Sequence, residues 1–393
     1  MELSFGKGAL LLLLVAAVVA MLTRRLRLPY SVGLVLAGMG LAFLPMVPKI
    51  AFTREILFDT LLPPLLFEAA LSLRWDELRR QLPVVLTLAS AGVALSGAVT
   101  AAGMRCLAGW TWPSALLFGA LIAATDPVSV IATFREAKAR GRLPLLIESE
   151  SLFNDGTAAV AFGVAVTLAA GRSLSGWAVA AALASTIGGA LLCGAATGVL
   201  ALLLAGRTED HLVELTVTTV AAYGSFLLAE HFHFSGVVAA IAAGLLLGNS
   251  RRFGALSERG REAMLAFWEY AAFAASSLVF LLIGMQEAGQ NFAGVRKPMA
   301  VALLFVMLGR AVAVYPLCAL FGRSALRVAM RHQHALFWGG LRGALALALA
   351  LSLPGQTPQR AEIVTVSFGV VAFSVFVQGL TMRPLLRRTG EIP

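Results

Sequence analysis

The sequence is short of charge and shorter still of cysteine. Asp, Glu, Lys and Arg make up only 13% of its 393 residues, against roughly 25% in a soluble domain, so most of the chain cannot present a water-exposed surface. The three cysteines, Cys106, Cys193 and Cys318, are too scattered for a disulfide framework or a thiolate metal site and read as small apolar fillers. The five histidines, His211, His231, His233, His332 and His334, sit at the ends of apolar runs or between them. That placement argues against a cluster of ligands for soft metals. No polar segment is long enough to hold a folded soluble domain, so no regulatory domain is expected. No TVGYG-like filter occurs either, which weighs against an ion channel.

What the chain has instead is apolar length. Hydrophobic residues account for 59% of it, in runs of about 20, the length a bilayer-crossing helix needs. These runs predict spans near 6–22, 30–44, 55–73, 82–104, 113–134, 147–170, 176–205, 211–231, 236–249, 262–287, 297–321, 334–353 and 361–386. The fold class expected is an all-α polytopic membrane protein of about thirteen transmembrane helices. Arg24, Arg25 and Arg27 follow the first run, and no convincing cleavage site does, so it reads as a retained helix rather than a signal peptide.

The net charge of +10 could suggest a nucleic-acid partner, but the positions of the basic residues decide otherwise. Most follow odd-numbered spans, as at Arg74, Arg79 and Arg80, at Arg135, Lys138, Arg140 and Arg142, and at Arg323, Arg327 and Arg331, while segments after even-numbered spans carry few. The positive-inside rule then places the N-terminus outside and the C-terminus in the cytoplasm. The basic residues set topology, and a nucleic-acid partner is excluded.

Thirteen spans divide as six, a linker helix near 176–205, and six. The offset of seven inverts the second six relative to the first. The fifth and twelfth spans, at matching places, both carry helix-breaking residues. In "AATDPVSV", Pro127 removes a backbone donor and disfavours helical geometry at Asp126. In "FWGGLRGAL", Gly339, Gly340 and Gly343 lower the cost of unwinding. Interrupted segments at corresponding positions of two halves point to a transporter binding site.

The stretch "ESESLFNDG" places Glu148, Glu150 and Asp155 at the head of an apolar span, although an ionised side chain costs about 2.5–3.5 kcal/mol at mid-bilayer. On a helix, Ser151 and Asp155 share one stripe and Glu150 and Asn154 the next. At 1.5 Å per residue, Asp155, Asp126 and Arg342 all fall about 12 Å from the cytoplasmic ends of their spans, with Glu68 nearer the cytoplasm and Arg310 near mid-membrane. Carboxylate, hydroxyl and carbonyl oxygens suit a hard cation. A carboxylate that binds either a proton or a monovalent cation makes the two compete, and competition at an alternately exposed site yields exchange.

At "TDPVSVIATF", "ESLFNDG", "FWEYAAFAASSLVFLLIGM", "WGGLRGAL" and "VFVQGLTMRPL", in order along nearly the whole chain, the sequence resembles the cation–proton antiporter 1 family, the NhaP-type exchangers related to eukaryotic sodium/proton exchangers. The resemblance implies an NhaA/NhaP-like fold of inverted six-helix repeats with two crossed, unwound helices. It implies a homodimer in the prokaryotic inner membrane, in which a core of helices about 82–170 and 297–386 moves like an elevator against interface helices about 6–73 and 211–287. It implies a transporter rather than an enzyme, with no cofactor, exchanging Na⁺ or Li⁺ for H⁺. Asp155 would carry the exchange beside Asn154, with Ser151, Thr125, Asp126 and Glu68 contributing to the ion site. Glu150 and Arg310 would form a structural ion pair, and Arg342 would compensate charge at the helix crossing. Glu148 lies outside the family's motif and reads either as a solvated acid favoured by the helix N-terminus or as part of a cytoplasmic funnel with Glu68, and Glu269 in "FWEY" would be structural. Asn rather than Asp at 154 implies electroneutral one-for-one exchange. K⁺/H⁺ exchange is the nearest alternative, and a sodium-coupled symporter of an organic anion is a more distant one.

Overall fold

A computed structural model describes residues 2–26, 28–44, 53–137, 139, 141–171, 176–250 and 256–392. Within them the regular structure is entirely helical, as the bilayer requires of segments that must satisfy their own backbone groups. In chain order the helices are α1 (Glu2–Leu26), α2 (Tyr30–Ala42), α3 (Leu62–Ser72), α4 (Trp75–Thr87), α5 (Val93–Cys106), α6 (Trp112–Leu121), α7 (Val128–Glu136), α8 (Arg142–Ala169), α9 (Gly176–Ala205), α10 (His211–His231), α11 (Gly236–Gly248), α12 (Glu258–Glu287), α13 (Arg296–Leu320), α14 (Met330–Trp338), α15 (Ala344–Leu351), α16 (Arg360–Phe373) and α17 (Leu380–Arg388). Widened i→i+5 turns lead into α3 at 56–61, join α4 to α5 at 88–92 and join α16 to α17 at 374–379. Among the described residues, eight continuous helices are long and apolar enough to cross a membrane, including 75–106, 142–169 and 360–388. The protein is therefore multi-pass.

The fifth and twelfth runs are each broken in two. α6 starts at Thr111, whose hydroxyl accepts from the Ser114 N–H, and stops at Leu121; α7 resumes only after Pro127. α14 ends at Trp338 before Gly339 and Gly340, and α15 begins after Gly343. The breaks are local consequences of Pro and Gly, where the helix costs most to continue.

By packing, the described residues form two compact units. One comprises residues 55–83 and 159–276. In it Phe67, Leu71, Ala201, Ala222, Ala243, Leu247 and Trp268 build the core. A Cβ on Gly248 would come within 2.3 Å of the Leu71 carbonyl, and one on Gly194 within 2.3 Å of the Ala239 carbonyl, so small residues set the helix separation, as is usual between membrane helices. Polar staples fix its loops: Asn249 accepts from the Trp75 N–H at 2.9 Å and donates to the Leu73 carbonyl at 3.1 Å. Glu214 accepts from the N–H and hydroxyl of Ser257 at 3.1 and 2.9 Å.

The other unit comprises residues 1–54, 84–158 and 277–393. Its apolar core joins Val130 and Phe134 of α7, Leu146 and Ile147 of α8, Val314 and Leu317 of α13, Leu336 of α14, and Met382 and Leu386 of α17. Close helix contact again relies on glycine. Gly97 on α5 and Gly119 on α6 face one another, and Gly309 on α13 lies against the Ser96 carbonyl. Both broken helices and most of the polar residues singled out from the sequence belong to this unit.

Candidate functional site

The two breaks cross. The Asp126 N–H donates to the Leu341 carbonyl at 2.7 Å, joining the unwound stretch 122–127 to 339–343. Each break exposes helix ends with unsatisfied backbone groups and partial charges, and side chains of opposite sign meet them. The Asp126 carboxylate accepts from the Val128 N–H at 3.0 Å and from the Ala344 N–H, so one side chain caps the N-termini of α7 and α15. At the opposite poles, Arg342 donates to the Ala124 carbonyl at 3.0 Å in the unwound stretch after α6, and Arg310 to the Leu336 carbonyl at 2.8 Å in the last turn of α14. The glycines of "GGLRG" do more than ease unwinding. A Cβ on Gly343 would lie 2.0 Å from Asp126 Oδ2, and one on Gly340 2.5 Å from Arg310 Nε, so both charged side chains occupy space that any other residue would fill.

The face of α8 that carries Glu150, Ser151, Asn154 and Asp155 meets this crossing. Asn154, fully buried, accepts from the Thr125 N–H at 3.0 Å with its Oδ1. Its amide nitrogen donates to Thr125 Oγ1 at 2.7 Å and to Glu150 Oε1 at 2.9 Å. The Ser151 hydroxyl donates to the Thr125 carbonyl. Thr125 is thus held at its N–H, carbonyl and hydroxyl by two side chains one turn apart. Glu150, 2% exposed, receives both terminal nitrogens of Arg310 at 2.9 Å each, a bidentate geometry that suits a buried guanidinium–carboxylate pair.

Asp155 differs from its neighbours. It is half-buried, and among the described residues it accepts no hydrogen bond and makes no ion pair; the charges it faces are the carboxylates of Asp126 and Glu150. With Asp126, Glu150, Arg310 and Arg342 the cluster carries three acids against two guanidiniums. One monovalent positive charge at Asp155 balances it. No group of three or more His, Cys, Asp or Glu poised for a metal ion occurs among the described residues. Glu148 is half-buried on α8, and Glu68 is half-buried on α3 in the other unit. Glu269 is exposed on α12.

Residues 10–388 match the family described as "Sodium/hydrogen exchanger, transmembrane". The chain belongs to the sodium/hydrogen exchanger family. Its relatives in that family include the Na⁺/H⁺ antiporter ApNhaP of Aphanothece halophytica, 38% identical over 93% of this chain and 70% of that protein. The Na⁺/H⁺ antiporter NhaH of Halobacillus aidingensis is 33% identical over 97% of both chains. The structure of the sodium proton antiporter MjNhaP1 from Methanocaldococcus jannaschii at pH 8 superposes with a TM-score of 0.76 at 21% identity, covering 100% of this chain and 98% of that one. The exchanger family resemblance read from five motifs is thereby shown, as is the NhaP-like fold, and the family is one of transporters rather than enzymes.

Sequence reasoning passed over the side chain of Gln378, which is 2% exposed and donates to the Trp338 carbonyl at 3.2 Å. A carboxamide inside a long apolar run was the available signal, since a polar group in a membrane helix needs a partner. The bonding at Asn154 carries a prediction of its own. In Asn154→Asp both N–H donors are lost and a second acid stands against Glu150, so folded yield and thermal stability in detergent should fall sharply. The scale is the roughly 3–5 kcal/mol of an uncompensated buried charge. Wild-type stability for this variant would refute the donor role.

Proposed function

We propose that this chain is a secondary antiporter that exchanges Na⁺ or Li⁺ for H⁺ across a prokaryotic inner membrane. The observation that carries the reading is Asp155, an acid that among the described residues has no hydrogen-bond or ion-pair partner, inside a cluster whose other charges are all engaged. Deprotonated, it leaves the cluster one charge negative; a proton or a monovalent cation restores balance, and the two exclude each other. The names of the relatives, Na⁺/H⁺ antiporters at 33–38% identity, support the same ion pair of substrates. Ser151 and Thr125 supply neutral oxygens beside Asp155, and Glu68 and Glu148 draw cations from the cytoplasmic side.

One charge in either loaded state makes the exchange electroneutral, because the Glu150–Arg310 pair and the caps at Asp126 and Arg342 remain intact through the cycle. The full architecture is thirteen spans with the N-terminus outside and the C-terminus in the cytoplasm, assembled as a homodimer. Helices about 82–170 and 297–386 carry the site past the interface helices in an elevator-like motion.

The test is reconstitution in liposomes with an imposed pH gradient, followed by addition of Na⁺, Li⁺ or K⁺ in turn while internal pH is recorded. Na⁺ and Li⁺ should dissipate the gradient. A response to K⁺ alone would replace the substrate with K⁺, and no response to any cation would end the antiporter reading. Clamping the potential with valinomycin and K⁺ should leave the Na⁺-driven rate unchanged, and a rate that follows the imposed voltage would overturn electroneutrality.

A further inference from the structure

The C-terminal turn of α14 draws donors from elsewhere in the chain, because the helix stops there and leaves its last carbonyls without intrahelical donors. The Gly339 N–H serves the Ala335 carbonyl at 2.8 Å, and Arg310 serves Leu336. The Trp338 carbonyl, last before the unwound glycines, is met by Gln378 at 3.2 Å. Gln378 also packs its amide nitrogen 3.7 Å from Met307 Sδ on α13. Three residues on, Thr381 accepts from the Trp338 indole N–H at 2.8 Å. Backbone and side chain of Trp338 are thus clasped by one turn at the head of α17.

The clasp depends on the widened turn at 374–379. An α-helix advances about 100° per residue, so one extra residue in the turn sets the direction in which Gln378 and Thr381 project. Such single wide turns recur at functional places in helices. From the clasp a continuous set of contacts leads to the proposed ion site. α14 presents Leu336 to Arg310, Arg310 holds Glu150, Glu150 accepts from Asn154, and Asn154 fixes Thr125.

We propose that Gln378 is a positioning residue for cation binding, holding the end of α14 so that the oxygens of Thr125 stay in place beside Asp155. The inference rests on the exchange reading above. Its distinctive consequence is selective: the clasp supports the neutral oxygens that a cation needs, whereas a proton needs only the Asp155 carboxylate.

Gln378→Met keeps the volume, deletes the donor and leaves every residue of the charged cluster in place. In proteoliposomes its apparent KM for Na⁺ should rise about fivefold, the size of one lost neutral hydrogen bond, with the maximal rate within about twofold of wild type. Because protons then compete more effectively, the acid limb of the pH–rate profile should move to higher pH. Thr381→Val, which removes the acceptor for the Trp338 indole, should shift both quantities in the same direction. If Gln378→Met does not fold, Thr381→Val alone decides. A wild-type KM and pH profile in the folded variants would overturn the proposal. Failure of the wild-type protein to exchange any cation would instead overturn the exchange reading itself, so the two failures are distinguishable.

Discussion

Asp155→Asn should abolish cation-driven proton movement in liposomes while leaving the protein as thermally stable as wild type, or more so. Both halves follow from the same geometry. Asp155 has no hydrogen-bond or ion-pair partner to lose among the described residues, and its charged neighbours are the acids Asp126 and Glu150. A neutral amide of the same shape removes like-charge repulsion and breaks no existing bond, so a Tm at or above the wild-type value is expected. The amide cannot take up a proton, and it offers a cation no charge, so the cluster stays balanced at all times and has nothing to exchange. Retained exchange in this variant would remove Asp155 from its proposed role. Loss of exchange together with loss of folding would show that Asp155 has structural partners after all.

Arg310→Met should be among the most damaging single substitutions in the chain, and Glu150→Gln should repair much of the damage. Alone, the methionine leaves the Glu150 carboxylate, 2% exposed, with one amide N–H from Asn154 at 2.9 Å where it had three charge-assisted or neutral donors. Stranding a buried charge in this way costs about 3–5 kcal/mol, whereas replacing both members of a buried pair by neutral groups is often close to neutral. Folded yield in detergent and thermal unfolding should therefore collapse in the single variant and recover largely in Glu150→Gln/Arg310→Met. Exchange in the double variant should recover with the fold, since the pair is proposed to carry no transported charge. A single variant as stable as wild type, or a double variant no better than the single, would show that the pair is not coupled in this way. Incomplete recovery has a specific source: Arg310 also serves the Leu336 carbonyl at 2.8 Å, which the double variant leaves without that donor.

The candidate site was partly legible in the sequence because its determinants are local. Pro127 and the three glycines of "GGLRG" interrupt their helices through their own backbone chemistry, and the i, i+4 spacing on α8 puts Ser151 and Asp155 on one stripe without any help from tertiary contacts. Acids inside an apolar run are conspicuous because the bilayer penalises them.

The roles within the cluster were harder to read, because each depends on what approaches from elsewhere in the chain. Asp126 and Asp155 are both acids beside a break or a site, yet the first has its oxygens taken by backbone N–H groups of α7 and α15, while the second has no such partner. Asn154 looks like one more polar neighbour until Thr125 arrives to use both ends of its amide, the oxygen through the backbone N–H and the nitrogen through the hydroxyl. Gly340 and Gly343 matter as much for the guanidinium and carboxylate that fill their missing side chains as for unwinding.

By itself the sequence determined that this is a helical multi-pass membrane protein of the sodium/hydrogen exchanger family, where its helices break, and which acids share a face. Run length, proline, glycine and helical period act over a few residues and leave their mark in the order of letters. The tertiary structure alone decided which of those acids is capped, which is paired and which has no partner among the described residues, and that Gln378 clasps the end of α14. A carboxylate takes its role from the donors around it, and here those donors come from distant chain, as in the bonds from Arg310 to Glu150 across 160 residues.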